Sequence, residues 1–307
     1  MNNIINEQPV VSIIMNCFNG ETFLKESINS VLSQTYKNWE IIFWNNQSQD
    51  KSAEIFKSFH DKRFKYFLAK EHTSLYMARN LAIKKTKGSL IAFLDTDDYW
   101  SKDKLKNEIE TFLNNPESMV VYGNYFIVNE KLKIKKLAHK NETLKSGLIY
   151  KDLLKNYNIG FPTVMVRQKI FKKLNFKFDE RFEIIGDFDL MIKLSKNYKF
   201  SSLKKPIAYY RTHNQNTSLL SKKRHYEEMK IWTNENFFKD KDLNNNIYLK
   251  KKYVNYLNEL KFISILIEGK KLEAIKVLLN FNNDIKKIKY FLSIFLPLNI
   301  LKKFINF

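Results

Sequence analysis

The run Ile91-Ala92-Phe93-Leu94-Asp95-Thr96-Asp97-Asp98-Tyr99-Trp100 passes abruptly from apolar residues to three carboxylates among four positions. Leu90 to Leu94 reads as a buried strand, because it is short, apolar and bounded upstream by Gly88. The carboxylates therefore fall where a strand leaves its sheet, and in open α/β sheets ligands bind outside that edge. Two carboxylates at i and i+2 can share a divalent cation or divide it with a ribose. A hard cation held this way keeps positions open for phosphate oxygens. The same four residues also read as a turn with an N-cap for a helix beginning near Asp103.

Working toward the N-terminus, Val10 to Met15 is a β-branched run that closes on Asn16, and after Phe18-Asn19-Gly20 a helical pattern places Leu24, Ile28, Val31 and Leu32 on one face. Trp39 to Trp44 is the next strand and leaves into the polar loop Asn45 to Asp50. Ser52 to Phe59 is a short helix, Phe64 to Leu68 a strand and Leu75 to Lys85 a helix. This strict alternation implies an α/β fold with a mainly parallel sheet and helices on both faces. Asn16, the Asn45 to Asp50 loop and Asp95 to Asp98 then meet in one cleft. No Gly-x-Gly-x-x-Gly or P-loop pattern occurs, so dinucleotide and ATPase sites have no support.

Toward the C-terminus, Leu105, Ile109, Phe112 and Leu113 mark a helix that stops at Asn114-Asn115-Pro116, and Met119 to Tyr125 is a strand. Lys131 to Lys140 is a basic hairpin segment, Pro162 to Val166 a strand, and Lys169 to Leu174 a short helix. Gly186-Asp187-Phe188-Asp189-Leu190 opens another helix, where the macrodipole favours Asp187 whatever its role. Ile207 to His213 is a last strand, running into a polar loop over Asn214 to Ser218. Residues 1–218 are thus expected to form one domain and 219–307 a Lys-rich helical extension.

The chain of 307 residues is 44% hydrophobic and 15% aromatic, which is enough for a substantial core and excludes a disordered protein. Its 53 basic and 32 acidic residues leave a formal charge of +21, pointing to a polyanionic partner: nucleic acid, an anionic membrane surface or a phosphorylated substrate. An AT-rich genome would produce the same Lys, Asn and Ile usage. Nucleic acid is disfavoured, because the lysines are dispersed, no nucleic-acid-binding motif is present and the expected cleft is acidic. One cysteine, Cys17, allows neither an internal disulfide nor a cysteine zinc site, and a reducing compartment follows. The polar start, Met1 to Gln8, carries no signal pattern, so a cytoplasmic location is expected. Residues 250–307 hold 12 Lys against 4 acidic residues, and Tyr290 to Leu301 is uncharged, apolar and flanked by lysines. It is too short to span a bilayer and is broken by Pro297, but it fits shallow insertion at an anionic interface or packing on the domain's own core.

Five stretches in order resemble the family 2 glycosyltransferases, enzymes of the GT-A fold. They are Val11-Ser12-Ile13-Ile14-Met15-Asn16-Cys17-Phe18-Asn19-Gly20, Ser30-Val31-Leu32-Ser33-Gln34-Thr35-Tyr36, Met77-Ala78-Arg79-Asn80-Leu81-Ala82, Phe93-Leu94-Asp95-Thr96-Asp97-Asp98 and Gly186-Asp187-Phe188-Asp189-Leu190, within residues 9 to 218. The resemblance implies a GT-A, Rossmann-like, mainly parallel sheet flanked by helices, and inverting transfer from a nucleotide-diphosphate sugar, with a UDP-sugar favoured. Asp187 is then the catalytic base. Asn16, Asn19, Asn45, Asn46, Arg79, Asp95 and Thr96 belong to donor binding, and Asp97, Asp95 and His213 to a Mn²⁺ or Mg²⁺ ion. The implied acceptor is a glycan or lipid-linked hydroxyl in bacterial surface-glycan synthesis, reached from the inner face of the cytoplasmic membrane. Two positions depart from the family: Asn45 stands where an Asp is usual, and Gly186 where a Glu usually precedes the catalytic Asp. A non-catalytic nucleotide-sugar-binding partner subunit is the reading those departures favour.

Overall fold

The expected alternation is present as β1 (Val11–Cys17), α1 (Glu21–Leu32), β2 (Trp39–Asn45), α2 (Ser52–Lys57), β3 (Phe64–Leu68), α3 (Leu75–Ile83) and β4 (Leu90–Phe93). The structure is a computed structural model that describes residues 8–129, 131, 133–140, 144–213, 216, 221–281 and 284–296. Every residue of β1, β2 and β4 is buried, as expected of parallel strands covered on both faces. In register, Cys17 lies opposite Asn45, Asn45 opposite Leu68 and Ile14 opposite Phe93, so the strands release their loops along one edge. Entry into β4 needs Gly88. A Cβ there would lie 2.4 Å from the Val10 carbonyl oxygen, and the Gly88 N–H donates to Ser12 Oγ at 2.8 Å.

Beyond β4 come β5 (Tyr99–Trp100), α4 (Lys104–Asn114), β6 (Ser118–Asn129), β7 (Ile134–Leu137), α5 (Tyr150–Lys155), β8 (Met165–Arg167), α6 (Lys169–Lys172), α7 (Gly186–Ser195) and β9 (Lys199–Arg211). The sheet order is β3-β2-β1-β4-β8-β6-β9-β5, with β7 on β6. The first four strands are parallel, whereas β8 runs antiparallel between β4 and β6, and β5 antiparallel on β9. The second half of the sheet is therefore mixed. The strand expected from Pro162 begins three residues later, because Phe161–Thr163 is a 3-10 turn closed by the Thr163 N–H on the Gly160 carbonyl. The last strand is much longer than expected, and Pro206 sits opposite Asn124 where the β6 to β9 register shifts, a place for a residue that cannot donate. Lys131 to Lys140 holds the second arm of a hairpin, with Phe126 opposite Leu137.

The chain divides into two compact units, residues 1–213 and 214–307. The second contains α8 (Lys222–Trp232), α9 (Lys241–Asn245), α10 (Ile247–Ile267), α11 (Lys271–Leu278) and α12 (Asp284–Ser293). Its core gathers Phe262, Leu266, Ala274, Val277, Leu278, Phe281 and Ile294. In the apolar run begun by Tyr290, Tyr290 and Ile294 pack on that core, while Phe291, Leu292 and Phe295 are exposed. Residues 297–301 of the run lie outside the described residues, as does most of the Asn214 to Ser218 loop. Among the described residues no helix is long and apolar enough to cross a membrane.

Candidate active site

The carboxylate loop leaves β4 after Leu94, whose N–H still donates to the Ile14 carbonyl of β1. Asp95 is oriented from below: its Oδ1 lies 2.6 Å from Nη2 of Arg79, a side chain only 3% exposed beside an Asp95 that is 38% exposed. The guanidinium sits 4.4 Å from the Phe161 ring, with the Tyr76 and Phe178 rings nearby. Burial opposes its charge, but Asp95, Tyr76 and Asp187 more than restore it, and its pKa is raised. Arg79, expected among the donor contacts, is thus placed inside, where its cation aims Asp95 toward the cleft.

Asp97 meets the end of β9. Its Oδ2 lies 3.1 Å from Nε2 of His213, and its backbone carbonyl accepts from Nε of Arg211 at 2.9 Å. Arg211 is 2% exposed in its side chain and also reaches Glu26 Oε2 at 2.6 Å, while its own N–H donates to Asp98 Oδ1 at 2.9 Å. One arginine therefore ties α1, the carboxylate loop and β9 together. Asp98 is neither a helix cap nor exposed: burial, then the Asp97 and Asp95 charges, push its carboxyl well above the usual range. The N-cap position of α4 is Asp103, whose Oδ1 accepts from Thr35 Oγ1 rather than from its own helix.

Donors that share an octahedral metal at about 2.1 Å sit about 3 Å apart. The Asp97 and His213 atoms have that spacing, and their oxygen and imidazole chemistry suits Mn²⁺ or Mg²⁺. Among the described residues no three His, Cys, Asp or Glu side chains are arranged to hold a metal ion together, so an ion here would take most of its ligands from outside the protein. Asp97 and His213 would supply two ligands to such an ion.

Asp187, near the start of α7, is held by α3. Its Oδ1 accepts the Phe188 N–H at 2.8 Å and lies 3.1 Å from the Tyr76 hydroxyl, which is also 3.1 Å from the Ile184 carbonyl oxygen. Asn80 exchanges two hydrogen bonds with the Phe178 backbone, and Ser74 Oγ donates to the Glu180 carbonyl, so the Ala-Arg-Asn helix fixes the whole approach to Asp187. Burial raises the Asp187 pKa; Arg79, the Phe188 N–H and the Tyr76 hydroxyl oppose it without cancelling it.

The polar residues at the ends of β1 and β2 divide into two kinds. Asn45 is 2% exposed, its Oδ1 accepts from the Ser48 N–H and its Nδ2 donates to Tyr66. Asn46 is spent on Thr73, and Asn19, with φ 52°, accepts from the Gln49 N–H. Thr96 packs against Gly20. These four brace the loops. Asn16 differs: it is 9% exposed, and neither atom of its amide has a partner among the described residues.

Several residues of the cleft had no signal in the sequence. Phe18 is half exposed, with its ring 4.2 Å from that of His72. The buried Tyr157 hydroxyl has no partner among the described residues, and its pKa is pushed up by burial and then by the Asp187 charge. Glu26 and Tyr76 also escaped notice, because their partners lie more than 100 residues away in sequence. The signal that could have found the Asn45 brace is the Asn and Ser that follow β2, both turn formers.

Known proteins resemble this chain in sequence and in fold. The model of glycosyl transferase family 2 matches residues 12–175. The Escherichia coli UDP-Glc:alpha-D-GlcNAc-diphosphoundecaprenol beta-1,3-glucosyltransferase WfgD is 34% identical over 194 residues, covering 63% of this chain and 73% of the relative. The uncharacterized glycosyltransferase MJ1057 of Methanocaldococcus jannaschii is 30% identical over 267 residues, 84% of this chain and 89% of that one. Among solved structures, residues 1–349 of Staphylococcus aureus TarS in complex with UDP-GlcNAc superpose with a TM-score of 0.58 at 18% identity, over 92% of this chain and 90% of that one. The Pyrobaculum calidifontis mannosyltransferase PcManGT, in complex with GDP-Man and Mn²⁺, gives 0.59 at 11% identity, over 96% and 84%. The chain has a GT-A fold and belongs to glycosyl transferase family 2, and is a glycosyltransferase.

Proposed function

We propose that this enzyme transfers a hexose, with inversion, from a UDP-sugar to a hydroxyl of a lipid-diphosphate-linked sugar. The observation that carries the reading is the division of labour among three carboxylates: Asp187 enclosed and raised in pKa, Asp95 aimed by Arg79, and Asp97 paired with His213. Inversion by one in-line displacement needs a base within reach of the attacking hydroxyl. Asp187 supplies it, and its raised pKa makes it a stronger base than an exposed aspartate. Asp97 and His213 would hold Mn²⁺ or Mg²⁺, which when bound offsets the charge that gathers on the departing diphosphate. Asp95 takes a ribose hydroxyl or joins that ion. The ring of Phe18 serves the nucleoside by stacking, and the buried, unpartnered amide of Asn16 gains its hydrogen bond when the side chain turns toward that nucleoside.

The donor and acceptor classes rest on WfgD, whose name states UDP-Glc and a GlcNAc diphosphate lipid. The departures at Asn45 and Gly186 do not favour a non-catalytic subunit, because each has a local structural cause: Asn45 braces a turn, and the Tyr76 ring fills the space beside Gly186. The protein works peripherally on the inner face of the cytoplasmic membrane. On α12 and just beyond it, Ile288, Phe291, Leu292 and Phe295 form one exposed apolar row at i, i+3, i+4 and i+7, with Lys287 and Lys289 alongside. Incubation with UDP-[¹³C]glucose, Mn²⁺ and a synthetic GlcNAc-α-diphosphate alkyl lipid should yield a β-linked disaccharide by NMR. An α-linked product would overturn inversion, and no transfer would overturn the assigned substrates. Cosedimentation with phosphatidylglycerol vesicles at low salt, lost in Phe291→Glu/Phe295→Glu, tests the membrane contact; binding that survives the double change would refute it.

A further inference from the structure

We propose that Tyr76 is a positioning residue for Asp187, its ring filling the volume beside Gly186 and its hydroxyl holding the carboxylate. The inference rests on the reading of Asp187 as the base and explains how that base is oriented without an acidic neighbour before it.

The geometry is local and specific. A Cβ built on Gly186 would lie 2.5 Å from Cδ2, 2.6 Å from Cε2 and 2.7 Å from Cγ of Tyr76, so the ring occupies the space into which any side chain at 186 would first extend. Tyr76 is 2% exposed and stacks on Phe178, with ring centroids 5.3 Å apart. Its hydroxyl lies 3.1 Å from Asp187 Oδ1. The large residue on α3 and the absent side chain on α7 fit one another, although they are separated by 110 positions in the chain. The group beside Asp187 is thus a neutral phenol, kept protonated by burial and by the Asp187 charge.

Four groups from other elements act on Asp187. Arg79 and Tyr76 come from α3, Asp95 from the loop after β4 and Tyr157 from the segment after α5. Arg79 and Tyr76 favour the carboxylate form, Asp95 disfavours it, and the Phe188 N–H of α7 itself supports it. Of these, Tyr76 alone both touches the carboxylate and can lose its polar atom without changing its shape.

The test is a titration that needs no substrate. Protein labelled with [4-¹³C]aspartate gives one carboxyl resonance that disappears in Asp187→Asn and is thereby assigned. In Tyr76→Phe, the ring remains but the donor is gone, and the Asp187 midpoint should rise by about one pH unit, the worth of one hydrogen bond to a charged group. Replacing Tyr76 with 3-fluorotyrosine, a more acidic phenol of nearly the same size, should move the midpoint down and covers the case in which Tyr76→Phe does not fold. A midpoint unchanged by either substitution would mean that the hydroxyl serves only the Ile184 carbonyl, and would overturn the proposal. Failure of the base assignment is read separately, from glycosyl transfer by Asp187→Asn.

Discussion

Substituting Gly186 by Ala tests the packing around Asp187 with an unusually clear sign. In open space, Ala in the first turn of a helix is more stable than Gly by about 0.5–1 kcal/mol, so the substitution would raise the melting temperature. Here the new methyl must settle against three Tyr76 ring atoms at 2.5–2.7 Å, about 1 Å inside ordinary contact. The ring cannot easily retreat, because Phe178 backs it and its hydroxyl reaches Ile184 and Asp187. Overpacking of this kind costs about 1–3 kcal/mol, and loss of the hydroxyl contacts about 1 kcal/mol more. At about 2–4 °C per kcal/mol, Gly186→Ala should melt about 5–10 °C lower. In a Tyr76→Ala background the same change should be neutral or stabilising, since the obstructing ring is gone; urea unfolding of the four proteins in that cycle gives the coupling. A single Gly186→Ala variant as stable as its parent would refute the reasoning.

The remaining predictions concern the loop's anchor and its ligands. Lys104 and Glu108 are fully buried and 2.6 Å apart on α4, directly after the carboxylate loop, and burial pushes the Glu108 carboxyl up to about 7. The native state then keeps a proton that the unfolded chain has lost, so this group's contribution to stability falls as pH rises from about 4.5 to 7, and that slope should vanish in Glu108→Gln. Glu108→Ala, which strands a buried ammonium, should cost about 3–5 kcal/mol, whereas Lys104→Met/Glu108→Leu should cost much less. Urea midpoints decide both points, and equal losses would contradict them. His213→Ala should raise the Mn²⁺ concentration needed for half-maximal UDP binding by about tenfold or more; calorimetry showing no change would remove His213 from the metal site.

What could be read in the sequence was whatever lies close together along the chain. The strands before Asn16, Asn45 and Asp95 are short, fully buried runs, and their parallel register follows from alternation with helices, so the edge on which the loops gather was legible. The strand expected from Pro162 is present as β8, but its antiparallel direction was not legible, because three residues after a proline-containing turn carry no periodicity. The carboxylates were recognisable and the resemblance implied a role for each, but how each is held was not legible. It depends on Arg79, Arg211, Tyr76 and Phe161, which are brought to the site by the sheet rather than by sequence spacing. Asn45, expected as a ligand contact, also braces a four-residue turn through the Ser48 N–H, a local role that the linear reading did not assign to it. Gly186, a departure when read in one dimension, has a partner in three.

The central claim is that Asp187 removes the acceptor proton while other residues hold the donor. The most direct measurement pairs two assays on Asp187→Asn, UDP-glucose affinity in Mn²⁺ by calorimetry and glucose transfer to the GlcNAc-diphosphate lipid. The account predicts affinity within about twofold of the parent and transfer reduced by about 10²–10⁴, the usual worth of a positioned base. Transfer that persists at the parental rate would contradict it.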